Sequence, residues 1–159
     1  MARDYTTIVK LCLTPLIQKY NLTSIPFDKD EMFLMGKGFA LYAFVNWKEF
    51  YSDLWYVTID DNGVIRTYSL MYLEKERITQ DDRNQYLIKY GMPKTFDEKV
   101  FATYSIICIG YQNHCQDILS GDKQWLQNYP DKGYYNPQIA KFLAPYFRQQ
   151  GYNVKLIEE

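Results

Sequence analysis

The stretch Phe39-Ala40-Leu41-Tyr42-Ala43-Phe44-Val45-Asn46-Trp47 decides the fold. In an extended strand side chains alternate, so Phe39, Leu41, Ala43, Val45 and Trp47 share one face and Ala40, Tyr42, Phe44 and Asn46 the other. Both faces carry apolar bulk, which predicts a central strand covered at least in part on both sides. Just upstream, residues 31–35 read as a first strand, and Gly36-Lys37-Gly38 supplies the turn between them. Downstream, runs 53–59 and 64–69 are joined through Asp60-Asp61-Asn62-Gly63. Asn-Gly between two alternating apolar runs is a strong hairpin signal, because both residues tolerate positive φ. An antiparallel meander of three to five strands follows.

Helical patterns flank this sheet. Over residues 4–22, Ile8, Leu11, Leu13, Leu16, Ile17 and Tyr20 recur at three- and four-residue spacings and form an apolar stripe. Pro15 interrupts it, either as the first turn of a second helix capped by Thr14 or as a kink in one helix. Asn21 and Thr23-Ser24-Ile25-Pro26 then end it. In the second half, Thr79 is placed to cap a helix through Lys89, with Asp81 and Asp82 in its first turn and Gly91 and Pro93 after it. Thr95 and Glu98 have capping-box spacing, and an apolar stripe from Val100 to Leu119 predicts a long helix ended by Gly121. Asn136-Pro137 starts a last helix to about Gln150, and residues 152–157 read as a closing strand. With no repeat or linker in between, residues 1–159 form one α+β domain: an N-terminal helix, the meander, and C-terminal helices packed on the sheet.

Bulk composition narrows the function. The 159 residues are 47% hydrophobic with a net charge of −1, which fits a folded domain rather than a disordered chain. A pI near 5.9 argues against a nucleic-acid binder driven by overall charge. Cys12, Cys108 and Cys115 are an odd number at no zinc-like spacing, so a reducing cytoplasm suits the chain better than a secreted disulfide scaffold. Asp4 in the Met1-Ala2-Arg3-Asp4 start opposes a signal peptide, and the apolar run 104–111 is too short to span a bilayer.

Chemical motifs are scarce. His114, the single histidine, neighbours Cys115, but adjacent helical residues point about 100° apart, which separates a base from its nucleophile. Cys108 and Cys115 fall on the buried stripe as small core residues. Gly36-Lys37-Gly38 lacks the Ser or Thr that follows a phosphate-loop lysine, and Leu41 stands where a dinucleotide fingerprint needs its last glycine. The Asp60–Gly63 turn puts Thr58 and Ser69 where a calcium loop needs carboxylates. No catalytic residue, metal or cofactor is assigned.

What remains is tyrosine and local acidity. Tyrosines number 16, a residue that fills cores and also dominates recognition surfaces. Carboxylates gather at Asp28, Asp30 and Glu31, at Asp60 and Asp61, and at Asp81 and Asp82. The helix carrying Leu11-Cys12-Leu13-Thr14-Pro15-Leu16-Ile17-Gln18-Lys19-Tyr20, followed by the aromatic meander, resembles the bacterial immunity proteins that neutralise polymorphic or contact-dependent growth-inhibition toxins. The resemblance lies in the layout of the first half and the size of the whole. It implies a non-enzymatic inhibitor whose partner is a cognate toxin domain, often a nuclease, with no nucleic acid or membrane bound. The expected partner-binding residues are Asp60, Asp61, Asp81, Asp82, Tyr134 and Tyr135, acting by electrostatic steering. The alternative is a small enzyme or ligand-binding domain with a pocket between the sheet and the helix over 95–119. A concave pocket with converging carboxylates or tyrosines of shifted titration would mark it.

Overall fold

A computed structural model describes residues 4–157, so the Met1-Ala2-Arg3 start weighed above lies outside the described residues. Asp4 opens helix α1 (Tyr5–Lys19) as its N-cap, its carboxylate accepting from Thr6 N at 3.0 Å. Of the two alternatives at Pro15, one continuous helix is found. Thr14 Oγ1 bonds back to Lys10 O at 2.8 Å instead of capping a second segment.

The sheet has five strands in the order β1 (Thr23–Asp28), β2 (Glu31–Met35), β3 (Phe39–Asn46), β4 (Tyr51–Ile59) and β5 (Ile65–Ser69), each antiparallel to the next. β3 is central, as its two apolar faces require. The strand β1 replaces the expected helix end at 23–26. Pro26 hid it, but proline is tolerated on an edge strand, and the pairing of β1 with β2 shifts register between Pro26 and Asp28.

Seven residues after β5 form helix α2 (Met71–Arg77), which has no capping side chain and so no start signal. The expected capping box is present at Thr95 with Glu98 on α4 (Phe96–His114), and Thr79, expected as a cap, forms a second box with Asp82 on α3 (Gln80–Tyr90). The expected long helix stops at His114, and a short α5 (Gln116–Leu119) follows. Arg77 causes the break: its guanidinium takes His114 O at 3.1 Å and binds Asp117 at 2.6 and 3.0 Å. A 3-10 turn (Gln124–Leu126) leads on to α6 (Pro137–Gln149), capped by Asn136.

Residues 152–157 are not a strand. The free edge of β5 is already met by Tyr134, which exchanges both backbone bonds with Thr67 at 2.9 and 3.0 Å. The last segment instead passes the β4–β5 turn, with Lys155 N donating to Gly63 O at 2.7 Å.

Two cores result, one on each sheet face. Leu34, Leu41, Leu54 and Tyr56 pack with Leu13 and Leu16 of α1 and with Val100, Tyr104 and Tyr111 of α4. On the opposite face Phe33, Ala40, Val57 and Ile65 pack with Ile139, Leu143 and Phe147 of α6. Tyr104, fully buried, aims its hydroxyl at Phe44 O (2.8 Å) and Asp53 O (2.6 Å), tying α4 to the β3–β4 hairpin.

Candidate functional site

α6 covers only part of its face. From Phe33, which packs under α6, a network of rings runs outward along the sheet: Phe33 on Tyr42 (centroids 5.2 Å), Tyr42 on Phe44 (5.2 Å), Phe44 on Trp55 (4.8 Å) and Trp55 on Tyr134 (6.2 Å). Side chains two apart on one strand share a face, so Tyr51, Asp53 and Trp55 line up. Asp53 Oδ2 accepts from Tyr51 Oη (2.8 Å) and Trp55 Nε1 (3.0 Å), and Oδ1 from Leu54 N (2.8 Å). Tyr42 donates to Glu31 in the same way one strand over. Burial first, and then the adjoining carboxylate, push the hydroxyls of Tyr42 and Tyr51 well above the usual tyrosine range. Both stay protonated and act as donors that hold the carboxylates in place.

The β1–β2 and β3–β4 turns meet at this end, where Val45 N donates to Asp30 O at 3.0 Å. Between them lies an open hollow of about 440 Å³ bounded by Asp28, Asp30, Glu31, Tyr42, Phe44 and Trp47. The β3–β4 turn pushes its aromatics into solvent: Trp47 is 48% exposed, Phe50 77% and Tyr51 46%. Phe50 also sits at φ 53°, in the left-handed region that bulky side chains avoid. Such strain costs about 1 kcal/mol or more and gathers at functional positions. Five carboxylates (Asp28, Asp30, Glu31, Glu49, Asp53) stand here against two lysines (Lys29, Lys48), which makes the end acidic as well as aromatic.

The residues expected from the sequence are dispersed. Asp60 builds its own turn: it accepts from Asn62 N (2.9 Å) and Val64 N (3.0 Å) and pairs with Arg66 (3.2 Å). Burial opposes its ionisation, but those bonds outweigh it and hold its carboxyl below the ordinary range. Asp61 beside it is exposed, as is Asp81 on α3. Asp82 does not belong to a surface patch. It is 3% exposed and fully engaged, accepting from Thr79 N (2.8 Å) and Asn113 Nδ2 (2.8 Å) and facing His114 Nε2 at 3.1 Å. Because α3 packs on α4 while Asp60 and Asp61 sit in the β4–β5 turn, the four acids do not form one face. Tyr134 does join the aromatic end through Trp55, whereas Tyr135 uses its hydroxyl on Ile157 N at 3.0 Å. Asp82→Ala is therefore expected to cost about 2 kcal/mol through the lost cap and buried bonds. Asp61→Ala and Asp81→Ala should stay within about 0.5 kcal/mol, as urea titrations will read.

A second concavity lies on the opposite face, between β4, the α2–α3 corner and α4, with a volume of about 420 Å³. Glu74 of α2 lines it, its carboxyl bonded only weakly by Tyr111 Oη at 3.4 Å. Burial, then the charge of Asp53, push Glu74 up to about 8. Nothing in the sequence flagged Glu74, because α2 carries no helix-start signal.

The thiols offer no nucleophile: burial raises all three, Cys108 and Cys115 to about 11. No cluster of His, Cys, Asp or Glu among the described residues is arranged to hold a metal ion, and no described helix is long and apolar enough to cross a membrane. Comparison of the chain with protein families, with curated proteins and with solved structures finds no match.

Proposed function

We propose that this protein is a non-enzymatic inhibitor of the immunity type, which acts in the bacterial cytoplasm by docking a cognate, basic toxin domain. One observation carries the reading: three aromatic side chains, Trp47, Phe50 and Tyr51, stand exposed on a single strained turn at the acidic end of the sheet. Large rigid rings on a braced support are what protein interfaces use as anchors. The surrounding carboxylates supply attraction to a basic partner, and would stand in for the phosphates of a nuclease's substrate. Relative to the sequence expectation, the docking surface moves from Asp60, Asp61, Asp81 and Asp82 to the β1–β2 and β3–β4 turns, keeping Tyr134 at its margin.

The test is paired capture from the native cell lysate with wild type and Trp47→Ala, read by mass spectrometry and then by binding kinetics on the purified partner. One stoichiometric protein with a basic toxin domain should be retained by wild type. Trp47→Ala should weaken it by about 30-fold, the cost of losing a hot-spot ring. Equal retention by Trp47→Ala, together with loss on Asp61→Lys and Asp81→Lys, would return the interface to the loop carboxylates. Recovery of no partner by folded wild type would overturn the inhibitor reading.

A further inference from the structure

We propose that the cavity between β4, the α2–α3 corner and α4 binds a small organic anion. Its acid group sits between Arg83 and Lys99, an acceptor atom meets the Glu74 carboxyl, and its apolar body lies against Phe50, Ile78 and Phe96. This cavity lies on the α4 face of the sheet and meets the docking surface only at the β3–β4 turn, where Phe50 and Tyr51 border both.

Charge selects the ligand. Arg83 and Lys99 stand at the cavity, neither in a close ion pair among the described residues, with Glu74 near enough to Arg83 to feel its charge. Asp53 also lines the cavity, but its carboxylate is held by Tyr51 and Trp55 and its backbone oxygen by Tyr104. Glu74 is the other acid lining the space, and burial pushes its carboxyl up to about 8, so it is mostly protonated at neutral pH. The cavity thus presents two cations outside any close ion pair and one mostly neutral O–H donor, a set that attracts an anion and repels an amine. A cation would have to ionise Glu74 against its desolvation and then lie beside two like charges.

Shape agrees with this chemistry. A volume of about 420 Å³ is within the size of ordinary small-molecule sites. Phe96 and Phe50 meet edge to face at 5.6 Å and form one apolar wall, with Ile78 and Ile106 opposite. Ile78 is itself fixed by Gly110 of α4, where an added Cβ would meet Ile78 Cγ1 at 2.7 Å. The corner that carries Glu74 is therefore seated tightly on the helix that forms the cavity's far side.

Phenyl phosphate and benzoate serve as probes, with benzylamine as the cationic control, titrated into the full-length protein and followed by amide NMR shifts. Saturable shifts at Lys99, Thr103 and Ile106 are expected for one or both anions, and the stronger of the two identifies the acid group. The Arg83→Gln/Lys99→Gln double variant should weaken binding about tenfold or more, since charge-assisted bonds are the strong ones. Both side chains are exposed, so the variant keeps its fold. Glu74→Gln, which still donates, should bind as wild type does, and Glu74→Ala should bind more weakly. Trp47→Ala should leave probe binding unchanged, which separates this site from the docking surface. Tighter binding of benzylamine, no shift with either anion, or undiminished affinity in the double variant would overturn the proposal.

Discussion

Glu74→Gln is expected to stabilise the protein at pH 8 by on the order of 3 kcal/mol while leaving it nearly unchanged at pH 5. The sign follows from linkage. Glu74 has an ordinary pKa of 4.5 and is raised to about 8 by burial and by the Asp53 charge, with Arg83 and Tyr111 pulling the other way. Between those two values the folded protein holds a proton that the unfolded chain has released. Its contribution is therefore complete below 4.5 and is lost as pH rises through about 8, at up to about 1.4 kcal/mol per unit. Glutamine keeps the shape and the donor but cannot ionise, so the slope should vanish. On the acid side the opposite groups act: Asp60, Asp82 and Asp117 are held below 3.8, and their support is present above that value and lost as pH falls through their lowered ones. Wild type should thus be most stable near pH 5, and urea titrations at pH 5, 6.5 and 8 will show it. A wild-type stability that is flat between pH 5 and 8 would mean that Glu74 is ionised and hydrated in the folded state.

The same residue shows where sequence reasoning stops. Elements with a local chemical signature were legible: the Thr95–Glu98 capping box, the Thr79 cap, the Asn62-Gly63 turn, the Asn136-Pro137 helix start and the two-sided strand that begins at Phe39 all appear in the structure. Elements fixed by tertiary contacts were not. β1 exists because an edge can accept Pro26, α2 because Leu73 is buried in the core and its backbone N donates to Tyr129 Oη, and the break after His114 because Arg77 reaches across from another helix. Site residues divide the same way. Acids in loops are easy to see, but whether they face a partner depends on which bonds they already make, and Asp60 and Asp82 are spent on their own turn and cap. The aromatic end did leave a trace: Tyr51, Asp53 and Trp55 alternate on one strand, so a carboxylate flanked by two donors was readable from period two alone.

Phe147→Ala should be the most damaging of the substitutions considered, at about 3–5 kcal/mol, with a fall in melting temperature of about 10 °C or more. Phe147 is fully buried in the last turn of α6, in edge-to-face contact with Tyr152 at 5.9 Å. α6 is the one helix on its sheet face among the described residues, so no neighbour can move in to fill the space. Its remaining fastenings are at its two ends. Asn136 caps the start, and the Gln150 side chain bridges the β2–β3 turn by accepting from Gly38 N (2.7 Å) and donating to Gly36 O (2.9 Å). These end clamps hold position without replacing the lost apolar contact, so the loss should be concentrated in α6 and not spread evenly. Hydrogen exchange should then show α6 amides losing protection while α4 retains it, since α4 packs on the separate core of the other face. The ring network should carry part of the effect outward, because Phe142 of α6 stacks on Phe33, and Phe33 on Tyr42 beside the docking end. Equal loss of protection in α4 and α6 would show instead that the two cores open as a single unit, with the sheet between them transmitting the damage.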